Sequence, residues 1–131
     1  MDDPRITIFV CVSCRRPTGD SKDSFDEPGP RLAAALRVRL SNADHDRVEV
    51  TPVECLAVCK RPCTVAFSGA DKWTYLIGDL DPEAHVEEIV SAALAFGSSD
   101  TGILPWRERP LSFRKGVVAR VPPLAFKGFP Q

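Results

Sequence analysis

The sequence lacks long hydrophobic runs, a secretory leader pattern and the common motifs of enzymes. No apolar stretch approaches the roughly 18 residues that a membrane-spanning helix needs. The acidic start, residues 1–4, lacks the basic and then apolar pattern of a signal peptide. Nor is there a Gly-rich phosphate loop, an H-E-x-x-H motif or a catalytic triad pattern. We therefore expect a cytoplasmic protein with no membrane contact, and these absences favour a protein that is not an enzyme.

Acidic residues are scarce in the C-terminal segment. Residues 102–131 carry six basic residues against the single acid Glu108, a net charge of +5, which leaves −6 for residues 1–101. The segment lacks the interleaved basic and aromatic residues that nucleic-acid binders show on a sheet, so we expect no nucleic acid partner. A basic segment beside an acidic body is expected to contact something acidic, either that body or a partner.

Five cysteines are the most informative residues that are present. Cys11 and Cys14 form a C-x-x-C, and Cys55, Cys59 and Cys63 recur at every fourth position. An odd number of cysteines in a reducing compartment disfavours a framework of structural disulfides. The cluster therefore indicates a metal or iron–sulfur site, or a dithiol redox centre.

The pattern of apolar residues predicts a small α/β domain. The expected elements, in order, are a strand over 6–10, a loop over 18–29, a helix over 30–42, a strand over 48–51, a hairpin over 63–67 and 73–77, and a helix over 81–97. No regular period is present after Thr101. In the second helix the predicted buried stripe is Val86, Ile89, Val90, Ala93 and Leu94, and the solvated face includes Glu87 and Glu88.

The predicted strand order brings the cysteines to one edge of a sheet. A β-α-β unit joins parallel strands, so the strands over 6–10 and 48–51 end at the same edge. If the strand over 63–67 lies antiparallel beside the first, it begins at that edge. Cys11 and Cys14 then lie close to the loop that carries the other three cysteines.

This layout resembles the thioredoxin-like [2Fe–2S] ferredoxins, in which one pair of cysteines follows the first strand and a C-x-x-x-C follows the second. Cys11 and Cys14 match the first pair, although only two residues separate them, and Cys55 and Cys59 match the second. The resemblance implies a thioredoxin-like fold and a [2Fe–2S] cofactor held by these four cysteines. Cys63 is additional and is an alternative ligand.

The chain is also similar to an uncharacterised bacterial family described as predicted metal-binding proteins. The shared features include C-L-x-x-C-x-R-P-C-T-V-A over 55–66, K-W-T-Y over 72–75, L-P-W-R-E-R-P over 104–110 and the run over 113–123. This resemblance implies a context in cobalamin biosynthesis, with a redox or biosynthetic enzyme as partner.

Two alternatives to an iron–sulfur electron carrier remain open. Zinc is easily held by four thiolates, which would make the chain a metal-binding or trafficking protein. A thiol-disulfide oxidoreductase would use Cys11 and Cys14 after the first strand, with Pro62 where thioredoxins place a cis-proline.

The C-terminal extension is treated as a unit of its own. We expect a domain over residues 1–101 and an irregular, basic, Pro-containing extension over residues 102–131. The extension is too apolar for a purely disordered segment. We expect it to pack on the body or on a neighbouring subunit of a homodimer, or else to be a docking arm for an acidic redox partner.

Overall fold

The computed structural model describes residues 6–13, 16–17, 25–42, 47–58 and 61–128. Its elements are the strands β1 (Ile6–Cys11), β2 (Arg16–Pro17), β3 (Phe25–Asp26), β4 (Val48–Val53), β5 (Val65–Gly69), β6 (Thr74–Ile77) and β7 (Val117–Val121), the helices α1 (Pro28–Asn42), α2 (Val86–Ser98) and α3 (Leu111–Lys115), and a 3-10 helix (Trp106–Glu108). Among these residues, no helix combines the length and the apolar character that crossing a membrane requires.

A five-stranded mixed sheet in the order β4-β1-β5-β6-β7 organises the molecule. β4 runs parallel to β1, with Ile8 opposite Val50, while β5 runs antiparallel to β1 on its other side, with Ile8 opposite Phe67. β6 and β7 continue the sheet antiparallel. The predicted β-α-β unit, and the antiparallel strand beside its first strand, are therefore confirmed. β2 and β3 pair separately, and β3 lies within the stretch predicted as a loop.

The core lies between one face of the sheet and the helices. α1 and α2 contact each other and both contact β1, so they cover the same face. Ile8, Val10 and Phe67 of that face are fully buried. The Phe67 ring lies 5.5 Å from the ring of Phe96 in α2 and 5.4 Å from the ring of Phe113 in α3. Burial of aromatic and aliphatic side chains on this face supplies the main driving force for folding.

Two predicted boundaries in the first half of the chain need correction. α1 begins at Pro28 and not at Pro30. Prolines are tolerated throughout a first helical turn because the N–H groups there have no intrahelical partner. Pro52 was expected to close the second strand, but β4 continues to Val53. β4 is an edge strand, where a missing N–H costs no ladder bond if it faces outward.

The second helix was predicted over 81–97, and in the structure it begins later. The Asp81 carboxylate accepts hydrogen bonds from the N–H groups of Glu83 and Ala84, as a capping residue does. His85, with φ −111° and ψ 4°, interrupts the turn, and α2 begins only at Val86. Leu94 was predicted in the buried stripe, but it is exposed; Phe96 is buried in its place.

The extension, predicted to be irregular, contains a 3-10 helix, a short α-helix and a strand. β7 pairs with β6, and the extension places Leu104 and Phe113 in the core. The N–H of Leu104 donates to the hydroxyl of Tyr75 at 2.9 Å. Periodicity could not reveal these elements because each is five residues or fewer and is stabilised by contacts distant in sequence.

Glu88 was predicted to belong to the solvated face of α2, but it caps α3. Its carboxylate accepts hydrogen bonds from the backbone N–H of Ser112 at 3.0 Å and the Ser112 hydroxyl at 2.9 Å. Pro110, at the N-cap of α3, has no side-chain acceptor of its own. Because Pro110 cannot cap the helix, the N–H groups at the start of α3 need an acceptor from another part of the chain. The Ser112 N–H, above all, lowers the pKa of Glu88.

Replacing Glu88 with Gln should lower the free energy of unfolding at pH 7 by about 1 kcal/mol, because a charge-assisted hydrogen bond is weakened. A carboxyl whose folded pKa is depressed stabilises the protein above its unfolded pKa of about 4.3, and that contribution disappears as the pH falls through the lower folded value. Urea denaturation at pH 7 and at about pH 3 should therefore show the difference from wild type shrinking in acid.

The matched control is Glu87→Gln. Glu87 pairs with Arg39 at 2.7 Å, but both side chains are exposed, and exposed ion pairs contribute little. Equal losses in the two variants, or a loss for Glu88→Gln that does not depend on pH, would contradict the capping role.

Candidate metal centre

Three of the five cysteines are described, and the strand directions bring their chain segments to one edge of the sheet. Cys11 is the last residue of β1, Cys55 lies two residues after the end of β4, and Cys63 lies two residues before the start of β5. Because β1 and β4 are parallel and β5 is antiparallel to both, these ends coincide. We call this the cysteine edge. Cys14 and Cys59 lie outside the described residues.

Contacts around Cys11 link the three segments. The N–H of Cys11 donates to the carbonyl of Thr64 at 3.0 Å, next to Cys63. The Cys11 sulfur lies 3.9 Å from the carbonyl oxygen of Glu54, next to Cys55, and the hydroxyl of Ser13 donates to that same carbonyl. The backbone at Cys11 thus lies between the segments that carry Cys55 and Cys63.

Cys55 presents an exposed thiol with a directed donor. The N–H of Ala57 points at the Cys55 sulfur, with a nitrogen–sulfur distance of 3.1 Å. Ala57 has φ +61°, in the left-handed region, at this turn. N–H groups aimed at sulfur are one means by which proteins tune iron–sulfur centres.

Cys63 has a different environment from Cys11. Its N–H and carbonyl pair with the carbonyl and N–H of Leu80 at 3.1 and 3.0 Å, and its side chain is fully buried in the helix-covered core. Cys11 follows Val10 in β1, and alternation along a strand directs it to the opposite face. The two thiols therefore leave the sheet on opposite sides. The cis peptide bond here joins Pro62 to Cys63 and so follows the proline.

The first turn of α1 packs directly on Cys11. A Cβ added to Gly29 would lie 2.1 Å from the carbonyl oxygen of Cys11 and 2.7 Å from the Cα of Val12, so only glycine allows this approach. The positive end of the α1 dipole is thereby brought to the cysteine edge, where it favours negative charge.

Arg61, two residues before Cys63, has defined partners. Its guanidinium pairs with the Asp79 carboxylate at 2.8 Å and donates to the carbonyl of Lys115 at 3.0 Å. The bond to Lys115 connects the segment before Cys63 with the extension. The role escaped sequence reasoning because both partners are distant in sequence. Lys60 and Arg15 lie outside the described residues.

The thiols of Cys11 and Cys55 suit a soft metal or an iron–sulfur cluster, for which thiolate is the preferred ligand. The described residues alone contain no group of three or more His, Cys, Asp or Glu side chains arranged to hold a metal ion. A metal site at this edge would therefore need ligands from outside the described residues as well.

Solved structures similar to this chain are ferredoxins. The structure of a thioredoxin-like [2Fe–2S] ferredoxin from Aquifex aeolicus matches with a TM-score of 0.59 and 22% sequence identity, covering 93% of this chain and 98% of that one. A crystal structure of the wild-type thioredoxin-like [2Fe–2S] ferredoxin from Aquifex aeolicus matches with a TM-score of 0.58 and 21% identity, covering 88% and 97%. These similarities confirm the predicted thioredoxin-like α/β fold.

Sequence comparisons place the chain in a family. No curated protein matches it. The model of the family described as "Protein of unknown function (DUF1636)" matches residues 8–123, which is most of the chain. The chain therefore belongs to the DUF1636 family.

Proposed function

We propose that the chain holds a [2Fe–2S] cluster at the cysteine edge and acts as a one-electron carrier or a cluster-containing accessory protein. The observation that carries the proposal is that β1, β4 and β5 bring the segments of Cys11, Cys55 and Cys63 to one edge of a thioredoxin-like sheet. The fold similarity to ferredoxins supports the proposal.

The proposed ligands are Cys11, Cys14, Cys55 and Cys59. The burial of the Cys63 side chain in the helix-covered core, away from the face of Cys11, favours leaving Cys63 out of the set. Cys14 and Cys59 are the remaining thiols, and they follow Cys11 and Cys55 by three and four residues. Four thiolates, two for each iron, are what such a cluster needs.

When bound, a [2Fe–2S] cluster accepts and releases one electron. The surrounding residues prepare the site for negatively charged sulfur. The N–H of Ala57 donates to the Cys55 sulfur, and the α1 N-terminus, in contact through Gly29, favours negative charge beside Cys11. The exposure of Cys55 leaves one side of the edge accessible to another protein.

Anaerobic purification followed by visible absorption spectroscopy and iron and sulfide analysis tests the proposal. We expect a coloured protein with two iron and two sulfide per chain. A colourless protein with one zinc would instead support a metal-binding or trafficking protein. Metal-free protein with a titratable disulfide would support the oxidoreductase.

The pathway and the physiological partner are separate proposals. We propose a redox or biosynthetic enzyme as partner, in cobalamin biosynthesis as the family resemblance implies. Deleting the gene should then slow growth that depends on internal cobalamin synthesis, and added cobalamin should restore it. Growth that is unaffected, or not restored by cobalamin, would contradict this context.

A further inference from the structure

Among the described residues, no basic side chain of the extension forms an ion pair with the acidic body. Within the described part of the chain, the side chains of Arg107 and Lys115 make no ion pair or hydrogen bond. Arg109 and Arg114 donate to backbone carbonyls, and Arg120 stacks on an aromatic ring. The extension therefore packs on the body through β-pairing, hydrogen bonds to neutral groups and apolar burial, while Arg107 and Lys115 are exposed.

Exposed apolar side chains lie among these cations. Trp106 is 58% exposed and Leu111 is 64% exposed. We call the surface formed by Trp106, Arg107, Leu111, Arg114 and Lys115 the basic patch. Arg107, Arg114 and Lys115 give it three positive charges, and the net charge stays at +3 when the neighbouring Arg109 and Glu108 are counted as well. Large exposed apolar side chains next to several positive charges are typical of a binding surface.

The basic patch is held in shape by specific contacts. The guanidinium of Arg109 stacks over the rings of both Tyr75, at 5.6 Å, and Trp106, at 5.7 Å. Arg114 donates to the carbonyls of Trp106 at 3.2 Å and Arg107 at 3.0 Å. A surface ordered in advance loses less conformational entropy when a partner binds.

The basic patch contacts the cysteine edge on its Cys63 side, through Lys115. The carbonyl of Lys115 accepts the hydrogen bond from Arg61, two residues before Cys63, and the N–H of Gly78 donates to the carbonyl of Gly116 at 2.8 Å. A pocket of about 240 Å³ lies between α3 and the start of α2, lined by Asp79, His85, Glu88, Leu111, Ser112, Lys115 and Gly116. The two carboxylates in it are already engaged, Asp79 by Arg61 and Glu88 by Ser112.

β7 runs away from this end of the sheet. Val117 lies opposite Ile77 near the cysteine edge, whereas Val121 lies opposite Thr74 at the other end. Arg120 stacks on Trp73 just before β6, and Phe126, next to Lys127, contacts the same ring, so these two cations lie at a distance from the cysteine edge. This geometry provides a charge-matched control surface on the same molecule.

We propose that the basic patch docks an acidic surface of a partner protein, with Trp106 and Leu111 as apolar anchors, and so positions that partner at the cysteine edge. The inference rests on the proposed function for its purpose, electron exchange. Complementary charge steers association and sets its orientation. A symmetric dimer through this surface is disfavoured because two such patches repel each other.

Binding to poly-L-glutamate and to a glutamate–tyrosine copolymer tests the proposal, using fluorescence anisotropy of the labelled polymers at low ionic strength. Wild type should bind both, with the copolymer favoured. Arg107→Gln combined with Lys115→Gln should weaken binding about tenfold, and added salt should weaken wild-type binding. Leu111→Ser should remove the preference for the copolymer.

Arg120→Gln combined with Lys127→Gln is the control, since it removes the same charge from the far end and should change affinity about twofold or less. Equal losses in the two double variants would overturn the proposal, as would tighter binding of a single-stranded DNA oligonucleotide with the same dependence on Arg107 and Lys115. Iron and sulfide content of the same samples is measured independently, so loss of the proposed function and loss of docking are distinguishable.

Discussion

Cys11→Ala is expected to abolish the visible absorption and the iron content of the anaerobically purified protein, whereas Cys63→Ala is expected to retain both. The reason is the side of the sheet that each thiol faces. Cys11 leaves β1 on the face opposite Val10 and beside the segment of Cys55, while Cys63 is packed with the helix-covered core. Removing one ligand leaves three thiolates for a cluster that needs four.

The two variants are matched because both thiols are almost wholly buried and each substitution removes one sulfur atom. Each should cost about 1–2 kcal/mol of stability through the small cavity created, so a difference in iron content cannot come from packing alone. Cys14→Ala, Cys55→Ala and Cys59→Ala should behave like Cys11→Ala. Loss of iron in Cys63→Ala together with retention in Cys14→Ala would show that Cys63 is the ligand in place of Cys14.

Phe113→Ala is expected to lower the free energy of unfolding by about 3–5 kcal/mol. Phe113 belongs to the extension but is fully buried, and its ring lies 5.4 Å from Phe67 of β5. Truncation removes a large buried surface and leaves a cavity in the centre of the helix-covered face. Thermal unfolding should show a decrease in Tm of more than about 10 °C.

Phe126→Ala provides the control within the same extension. Phe126 is 47% exposed and contacts only the edge of the Trp73 ring among aromatic side chains described. We expect it to cost less than about 1 kcal/mol. Similar stability for both variants would show that the extension folds separately from residues 1–101 and contributes nothing to the common core.

Most of the sheet up to Ile77 could be predicted from the sequence because its signals are local. The apolar run over 6–10 and the helical spacing of Leu32, Leu36 and Leu40 identify a strand and a helix without knowledge of their neighbours. The right-handed parallel crossover then follows from chain geometry. The observed element boundaries differ from the predicted ones at Pro28 and Pro52. A proline fits inside an element wherever the N–H that it lacks would have had no hydrogen-bond partner.

The candidate site was less predictable than the sheet. The regular spacing of Cys55, Cys59 and Cys63 gives no reason to distinguish between them, yet Cys55 is exposed and Cys63 is buried. The described residues of their segment, 55–58 and 61–63, are not helical, so the spacing carries no information about the direction of the side chains. The direction of the Arg61 side chain likewise could not be predicted, because its partners Asp79 and Lys115 come from distant parts of the chain.

By itself, the sequence determined the order of β1, α1, β4, β5, β6 and α2, and the meeting of the segments of Cys11, Cys55 and Cys63 at one edge. Both follow from local periodicity and from the short list of ways in which strands can be connected. Only the tertiary structure decided which face each thiol takes, that β7 completes the sheet, and that the charges of Arg107 and Lys115 stay unpaired among the described residues. These features depend on strand register and on contacts between residues far apart in sequence, which no local pattern encodes.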